Sequence, residues 1–258
     1  LENLRVTIVQ SEIIWHDVEK NLRHLESLMK TFNPETDLII LPEMFNSGFT
    51  MTPSEVSEDM NGSAVNFMLR LSSETNADIT GSIPLIEDGV FYNRLIWVKP
   101  DGKIFTYDKK HLFRMGGEDK VYTPGDRHLT VNLKGWRIRP FICYDLRFPV
   151  WTRNSGMEYD LAVYSANWPA VRDFHWEILL RARAVENLCY VAGVNRTGHD
   201  RNKISYNGKS SVIDYYGNVM YCADSNESVH TIELVYADLL SYRESFPAWM
   251  DSDRFELV

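Results

Sequence analysis

The chain has 258 residues, of which 44% are hydrophobic and 24% charged, enough apolar surface for a folded core and too much for a disordered chain. Its formal net charge is -9, from 27 basic and 36 acidic side chains. That balance speaks against phosphate-backbone binding, so no nucleic-acid partner is expected. The three cysteines, Cys143, Cys189 and Cys222, are odd in number and widely spaced, which argues against a disulfide framework or a zinc knuckle. No window approaches the roughly 18 consecutive apolar residues of a membrane span, and the charged first segment lacks a signal-peptide pattern. A cytoplasmic protein with no membrane partner is the expectation.

In chain order, LRVTIVQ (4–10) reads as a β-branched strand. Asp17 is placed to cap a helix carrying Val18, Leu22, Leu25, Leu28 and Met29 at helical spacing. DLIILP (37–42) is continuously apolar, the pattern of a strand covered on both faces. Ser63 opens a second helix with Val65, Met68, Leu69 and Leu71, and ADITGSIPL (77–85) is a further strand. FYNRLIWVKP and KIFTYD flank Asp101-Gly102 as a hairpin. The second half runs similarly: HLTVNL and WRIRPFICYD as strands, DLAVYSA (160–166) as a buried strand, then a helix after Asp173. That helix is expected to turn Phe174, Ile178, Leu179, Ala182 and Val185 inward, with Arg181 and Arg183 in salt bridges. CYVAGVN is a strand, KSSVIDYYG and NVMYCAD form a hairpin around Gly217, and VHTIELV adds a last strand. Two similar halves of alternating strands and helices, each closing on a hairpin, imply mixed sheets with covered faces. No linker divides them, so residues 1–258 read as a single domain.

Nucleotide-binding loops, a GxSxG elbow and HExxH are absent, and the seven histidines lack ligand spacing. Three strand exits stand out instead. Glu43 follows LIILP, where α/β sheets place ligands and where a carboxylate can serve as a base. Lys109 and Lys110 lie in YDKKHLF, where an ammonium can stabilise an oxyanion. Cys143 follows WRIRPFI at a polar exit suited to a nucleophilic thiol. Asn167 and Trp168, leaving DLAVYSA, are placed to line a pocket. Alone, each has a blander reading: an exposed strand-end glutamate, a solvated loop, a buried small hydrophobe, a packed tryptophan. Together they supply a base, a cation and a nucleophile for acyl transfer.

LPEMFNSGF around Glu43, YDKKHLF and FICYDLRFP resemble, in order, the three signature motifs of the nitrilase superfamily, the carbon–nitrogen hydrolases. SANWP and RARAVEN resemble two further blocks, and the likeness runs to the tail YRESFPAWMDSDRF. HLFRM, CYDLRFPVW and FPAW are most similar to the bacterial omega-amidase branch, relatives of the Nit-type omega-amidases. The resemblance implies an α-β-β-α sandwich of two mixed sheets with pseudo-two-fold related halves, paired into a homodimer or higher homo-oligomer. It implies Glu43, Lys109 (the lysine two before His111) and Cys143 as catalytic residues. Glu118 would position substrate or Lys109, and the Tyr144 backbone N–H would help hold the oxyanion. No metal or cofactor is implied. The implied substrate is the terminal amide of a small dicarboxylate, such as 2-oxoglutaramate or 2-oxosuccinamate, in the repair of transaminated glutamine linked to methionine salvage. Arg147 and Arg172 are the nearest cations for its distal carboxylate. An N-carbamoyl amino acid hydrolase, a nitrilase and a non-catalytic binding protein on the same scaffold stand as alternatives.

Overall fold

Alternation decides the architecture strand by strand. In a computed structural model describing residues 2–32, 35–253 and 255, strands β1 (Leu4–Gln10), β2 (Leu38–Ile40) and β3 (Asp78–Glu87) pair in parallel. β2 shows why two covers are needed. Leu38 and Ile40 enter a core between two sheets, while Ile39 and Leu41 enter a second core under helices α1 (Val18–Phe32) and α2 (Ser63–Thr75). α1 begins as expected: the Asp17 carboxylate accepts the Lys20 N–H at 3.1 Å. For α2 the cap comes from outside the helix, where Glu58 accepts the N–H groups of Ser63 and Ala64.

β4 (Val90–Val98) pairs antiparallel with β3, and β5 (Ile104–Asp108) pairs antiparallel with β4, completing the first half. The β3–β4 turn uses Asp88 and Gly89, both at positive φ, as a two-residue hairpin requires. The second sheet repeats the plan. β6 (Val131–Leu133) is antiparallel to β7 (Trp136–Ile142), which runs parallel to β8 (Leu161–Ala166) and β9 (Tyr190–Asn195). The antiparallel pair β12 (Ser211–Ile213) and β13 (Val219–Cys222) follows. The sheet orders are β14-β1-β2-β3-β4-β5 and β13-β12-β9-β8-β7-β6, with β14 (Ser228–Leu234) returning to pair antiparallel with β1. Each sheet is thus three parallel strands, an antiparallel pair on one side and one antiparallel strand on the other. This is the expected two-fold-related sandwich. A small hairpin, β10 (Thr197–His199) with β11 (Ser205–Asn207), and helix α4 (Tyr236–Ser245) are additions to the sequence reading.

α3 (Asp173–Asn187) corrects one expectation. Its buried face carries Trp176, Leu180, Arg183, Ala184 and Asn187, whereas Phe174, Ile178 and Val185 are 71%, 49% and 47% exposed. Ala182 and Leu179 are only half-buried. The helix has two apolar stripes, and the one read as the core face looks outward. Gly193 on β9 permits the close approach of the true face, since a Cβ there would lie 2.6 Å from Leu180 and 2.8 Å from Trp176. Arg183 does pair with Glu186, but from a buried position, and Arg181 makes no ion pair among the described residues. α4 is docked by Arg243, whose guanidinium donates to Asp160 at 2.6 Å and to the Leu188 and Tyr159 carbonyls. Arg254 of the tail motif lies outside the described residues.

Candidate active site

The exits of β2, β5, β7 and β8 meet at the floor of one cavity of about 490 Å³. Strand parity chooses the lysine. Tyr107 of β5 points into the inter-sheet core, so Lys109, two residues on, follows it inward and is 1% exposed. Lys110, on the opposite parity, sets its ammonium over the Trp151 ring instead. Lys109 Nζ donates to Glu43 Oε1 at 2.8 Å and to Glu118 Oε2 at 2.9 Å. Glu43, fully buried, also accepts from Asn93 Nδ2 at 2.8 Å and from the Asn167 N–H at 2.9 Å, while Asn167 Nδ2 donates to the Glu43 carbonyl. Glu43 and Asn167 each follow the middle parallel strand of their sheet, so the pseudo-two-fold brings them together. Cys143 instead follows β7, the counterpart of β1.

Both turns are backbone-constrained. Met44 and Cys143 have φ of +43° and +41°, a region that side chains other than glycine avoid, and the surrounding bonds hold them there. Cys143 opens a short 3-10 helix, Cys143–Arg147, and its thiol faces the Asn167 carbonyl at 3.8 Å. Asp145 in that turn accepts from the His111 N–H and ring at 2.9 and 2.8 Å, and from Tyr107 Oη at 2.7 Å. The lysine loop and the cysteine turn are thereby tied together. Arg183 of α3 donates to the Leu146 carbonyl at 2.6 Å and braces the turn from behind.

The charge states follow from burial and partners. Burial pushes the Cys143 thiol well above its ordinary range and the Glu43 carboxylate pushes it further, so the resting sulfur is protonated. For Lys109 burial works downward, but the Glu118 and Glu43 carboxylates outweigh it and raise its pKa, keeping the ammonium charged. The Glu118 pKa is raised, by burial first and then by Glu43, against the opposing pull of Lys109. The site therefore holds a neutral thiol and a fixed cation that the carboxyl groups of Glu43 and Glu118 share.

Of the other expected positions, Tyr144, Arg147, Asn167, Trp168 and Arg172 line the cavity with Cys143, Glu43 and Lys109. Glu118 is not among the lining residues; it sits behind Lys109, bonded to it and to the Phe113 N–H at 2.6 Å. Arg147 lies over the Trp168 ring and contacts His175 Nδ1 at 2.8 Å, and Arg172 lies over Phe113. Sequence reasoning missed Asn93, Arg183 and several wall residues: Trp15, Phe49, Phe113, Arg201 and Tyr206. Asn93 had a signal, since it continues the inward stripe of Leu95 and Trp97, where a polar residue needs a reason. Arg201, on the β10–β11 loop, had none. Among the described residues no group of three or more His, Cys, Asp or Glu side chains is arranged to hold a metal, and no helix is long and apolar enough to cross a membrane.

Comparison with known proteins places the chain in a family. The carbon-nitrogen hydrolase family profile matches residues 5–244. The chain is 45% identical to the omega-amidase YafV of Escherichia coli (strain K12), over the full length of both. It is 28% identical to the 2-oxoglutaramate amidase of Bacillus subtilis (strain 168), covering 95% of this chain and 96% of that one. Among solved structures, XC1258 from Xanthomonas campestris, a CN-hydrolase superfamily protein with an arsenic adduct in its active site, superimposes with a TM-score of 0.98 at 42% identity, all of both chains being covered. With its sandwich of two mixed sheets and its site at the strand exits, the chain belongs to the carbon–nitrogen hydrolase family.

Proposed function

We propose that the protein is an omega-amidase that hydrolyses the terminal amide of small dicarboxylic monoamides, with 2-oxoglutaramate and 2-oxosuccinamate as substrates. The observation that carries this reading is the cavity itself. A buried Glu43–Lys109 pair and Cys143 form its floor, and Arg147, Arg172 and Arg201 line its walls in a chain of net charge -9. The local cations suit an anionic substrate that the field of the whole molecule would repel. The names of the Escherichia coli and Bacillus subtilis relatives point the same way.

In this scheme Glu43 takes the Cys143 proton as the sulfur attacks the amide carbon, because a thiol held neutral by burial needs a base. Lys109 and the Tyr144 N–H stabilise the tetrahedral oxyanion. Protonated Glu43 then passes its proton to the departing nitrogen and ammonia leaves. A water activated by Glu43 cleaves the thioester, releasing the 2-oxo acid and regenerating the thiol. Glu118 holds Lys109 in place. Asn167 and Trp168 shape the floor and wall, and Arg147, with Arg172 beside it, receives the distal carboxylate.

The test is ammonia release from 2-oxoglutaramate, simple amides, N-carbamoyl amino acids and nitriles, with Cys143→Ala as control. Fast turnover of 2-oxoglutaramate, abolished in the variant, is expected. An alkylatable Cys143 in a protein that leaves 2-oxoglutaramate untouched but cleaves another member of the panel would reject the specificity. We also infer that a second copy of the chain covers the outer stripe of α3. Phe174, Ile178 and Val185, with exposed Arg181 between the last two, run on to exposed Tyr216 through the contact of Val185 with Gly217, and such a stripe can pair with itself across a two-fold axis.

A further inference from the structure

Asn93 is fully buried and its side chain makes a complete set of bonds, none of them to the nucleophile. Its Nδ2 group donates one hydrogen to Glu43 Oε1 at 2.8 Å and the other to Glu118 Oε1 at 3.0 Å. Its Oδ1 accepts from Ser82 Oγ at 2.9 Å, and that oxygen in turn accepts the Met44 N–H at 3.0 Å. The amide can be oriented only one way, since a flip would set its carbonyl against two carboxylate oxygens. The chain of bonds is closed on itself. It leaves Glu43 through the backbone of the next residue, passes through Ser82 and Asn93, and returns to the Glu43 carboxylate. Asn93 also fixes the third member of the cluster, because its carbonyl accepts the Lys109 backbone N–H at 3.0 Å. Ser82 is reached from the same inward face of β3 and additionally accepts the Phe45 N–H at its carbonyl, 3.2 Å away.

We infer that Asn93, oriented by Ser82, is a positioning residue that holds Glu43 and Glu118 as neighbouring carboxylates around Lys109 and aims Glu43 at the Cys143 thiol. This rests on the reading of Glu43 as the base. Two carboxylates within reach of one ammonium repel, and the lower-energy arrangement without a second donor is for one of them to take up a proton. The Asn93 amide supplies that donor to both. It favours the ionised forms without adding a charge that would compete with Lys109 for the oxyanion. Without it, Glu118 retains a proton to higher pH, and Glu43 loses a bond that aims it at the proton on sulfur. Substrate contacts are left alone, because Asn93 does not line the cavity.

The experiment compares wild type with Asn93→Leu, close in shape but without the amide, and Ser82→Ala, which keeps Asn93 but removes its orienting hydroxyl. Two pH profiles are read on each: kcat and KM for 2-oxoglutaramate, and the rate of Cys143 alkylation by iodoacetamide, located by mass spectrometry. In Asn93→Leu, kcat is expected to fall about 100-fold with KM within about twofold. The acidic limb of both profiles should move up by about one pH unit. Ser82→Ala should shift both limbs in the same direction by less. Unmoved acidic limbs in folded Asn93→Leu, or a loss expressed in KM, would overturn the inference. If Asn93→Leu does not fold, as judged by circular dichroism, Ser82→Ala decides the matter on the same criterion. Should the wild type leave 2-oxoglutaramate untouched, the substrate assignment fails, while the alkylation profiles still test Asn93.

Discussion

That Cys143, Glu43 and Lys109 converge on one cavity was legible in the sequence because each sits in a short motif at a strand exit. The side chains that hold them there were less so. Lys109 rather than Lys110 rests, in the sequence, on the likeness of its spacing from His111 to the family motif, and strand parity with Tyr107 gives the physical reason. The brace from Arg183 to the Leu146 carbonyl does not, because it joins elements 37 residues apart and an arginine amid helix formers looks like a surface residue. Arg147 carries the clearest prediction at this scale. Its guanidinium is held over Trp168 and against His175, with the cavity in front of it. Arg147→Ala should raise KM for 2-oxoglutaramate about 10- to 100-fold, the loss of one charge-assisted contact, with a much smaller change in kcat. Steady-state kinetics on the purified variant decides it, and an effect confined to kcat would remove Arg147 from the substrate site.

At the scale of elements, most strands and helices were readable from periodicity, and the failures have identifiable causes. The sequence points α3 the wrong way because its outward stripe of Phe174, Ile178 and Val185 is more apolar than an inward one containing Arg183 and Asn187. α4 carries no readable stripe, since only Leu239 and Arg243 are buried. Beside the packing of Leu239, Tyr236 and Tyr242 on the core, its docking has an electrostatic part. Burial raises the Asp160 pKa, but the hydrogen bonds from Arg137 and Arg243 outweigh that and hold it below the ordinary carboxylate value. The stabilisation is full above the unfolded-state value near 4 and is lost as pH falls through the lower folded-state value. Arg243→Met should cost about 3 kcal/mol at neutral pH, because Asp160 loses a buried partner. For a chain of this size that is about 6–12 °C in Tm. The variant's Tm should also vary less between pH 5 and pH 2 than that of wild type, and an unchanged acid dependence would show that Asp160 does not couple α4 to the fold.

For the whole molecule, the two-halved sandwich was visible in the order of elements, whereas the crossing of β14 back to β1 was not, since VHTIELV looks like any last strand. The outer stripe of α3 belongs to this scale as well. Phe174→Asp with Ile178→Asp should convert a dimer to a monomer in sedimentation velocity, with the far-ultraviolet spectrum retained. A wild-type protein that sediments as a monomer at micromolar concentration would show that no second copy covers that face. The pairing of β1 with β14 bears on how the chain is made. All seven residues of β1 find their partner in β14, and the entire second sheet is synthesised between them. Until β14 leaves the ribosome, the nascent first half presents an unpaired row of backbone N–H and C=O groups along β1. A bare strand edge of that kind recruits other chains. The late strand thus acts as a seal, and the interval before it arrives is when this protein is most exposed to aggregation and most in need of a chaperone.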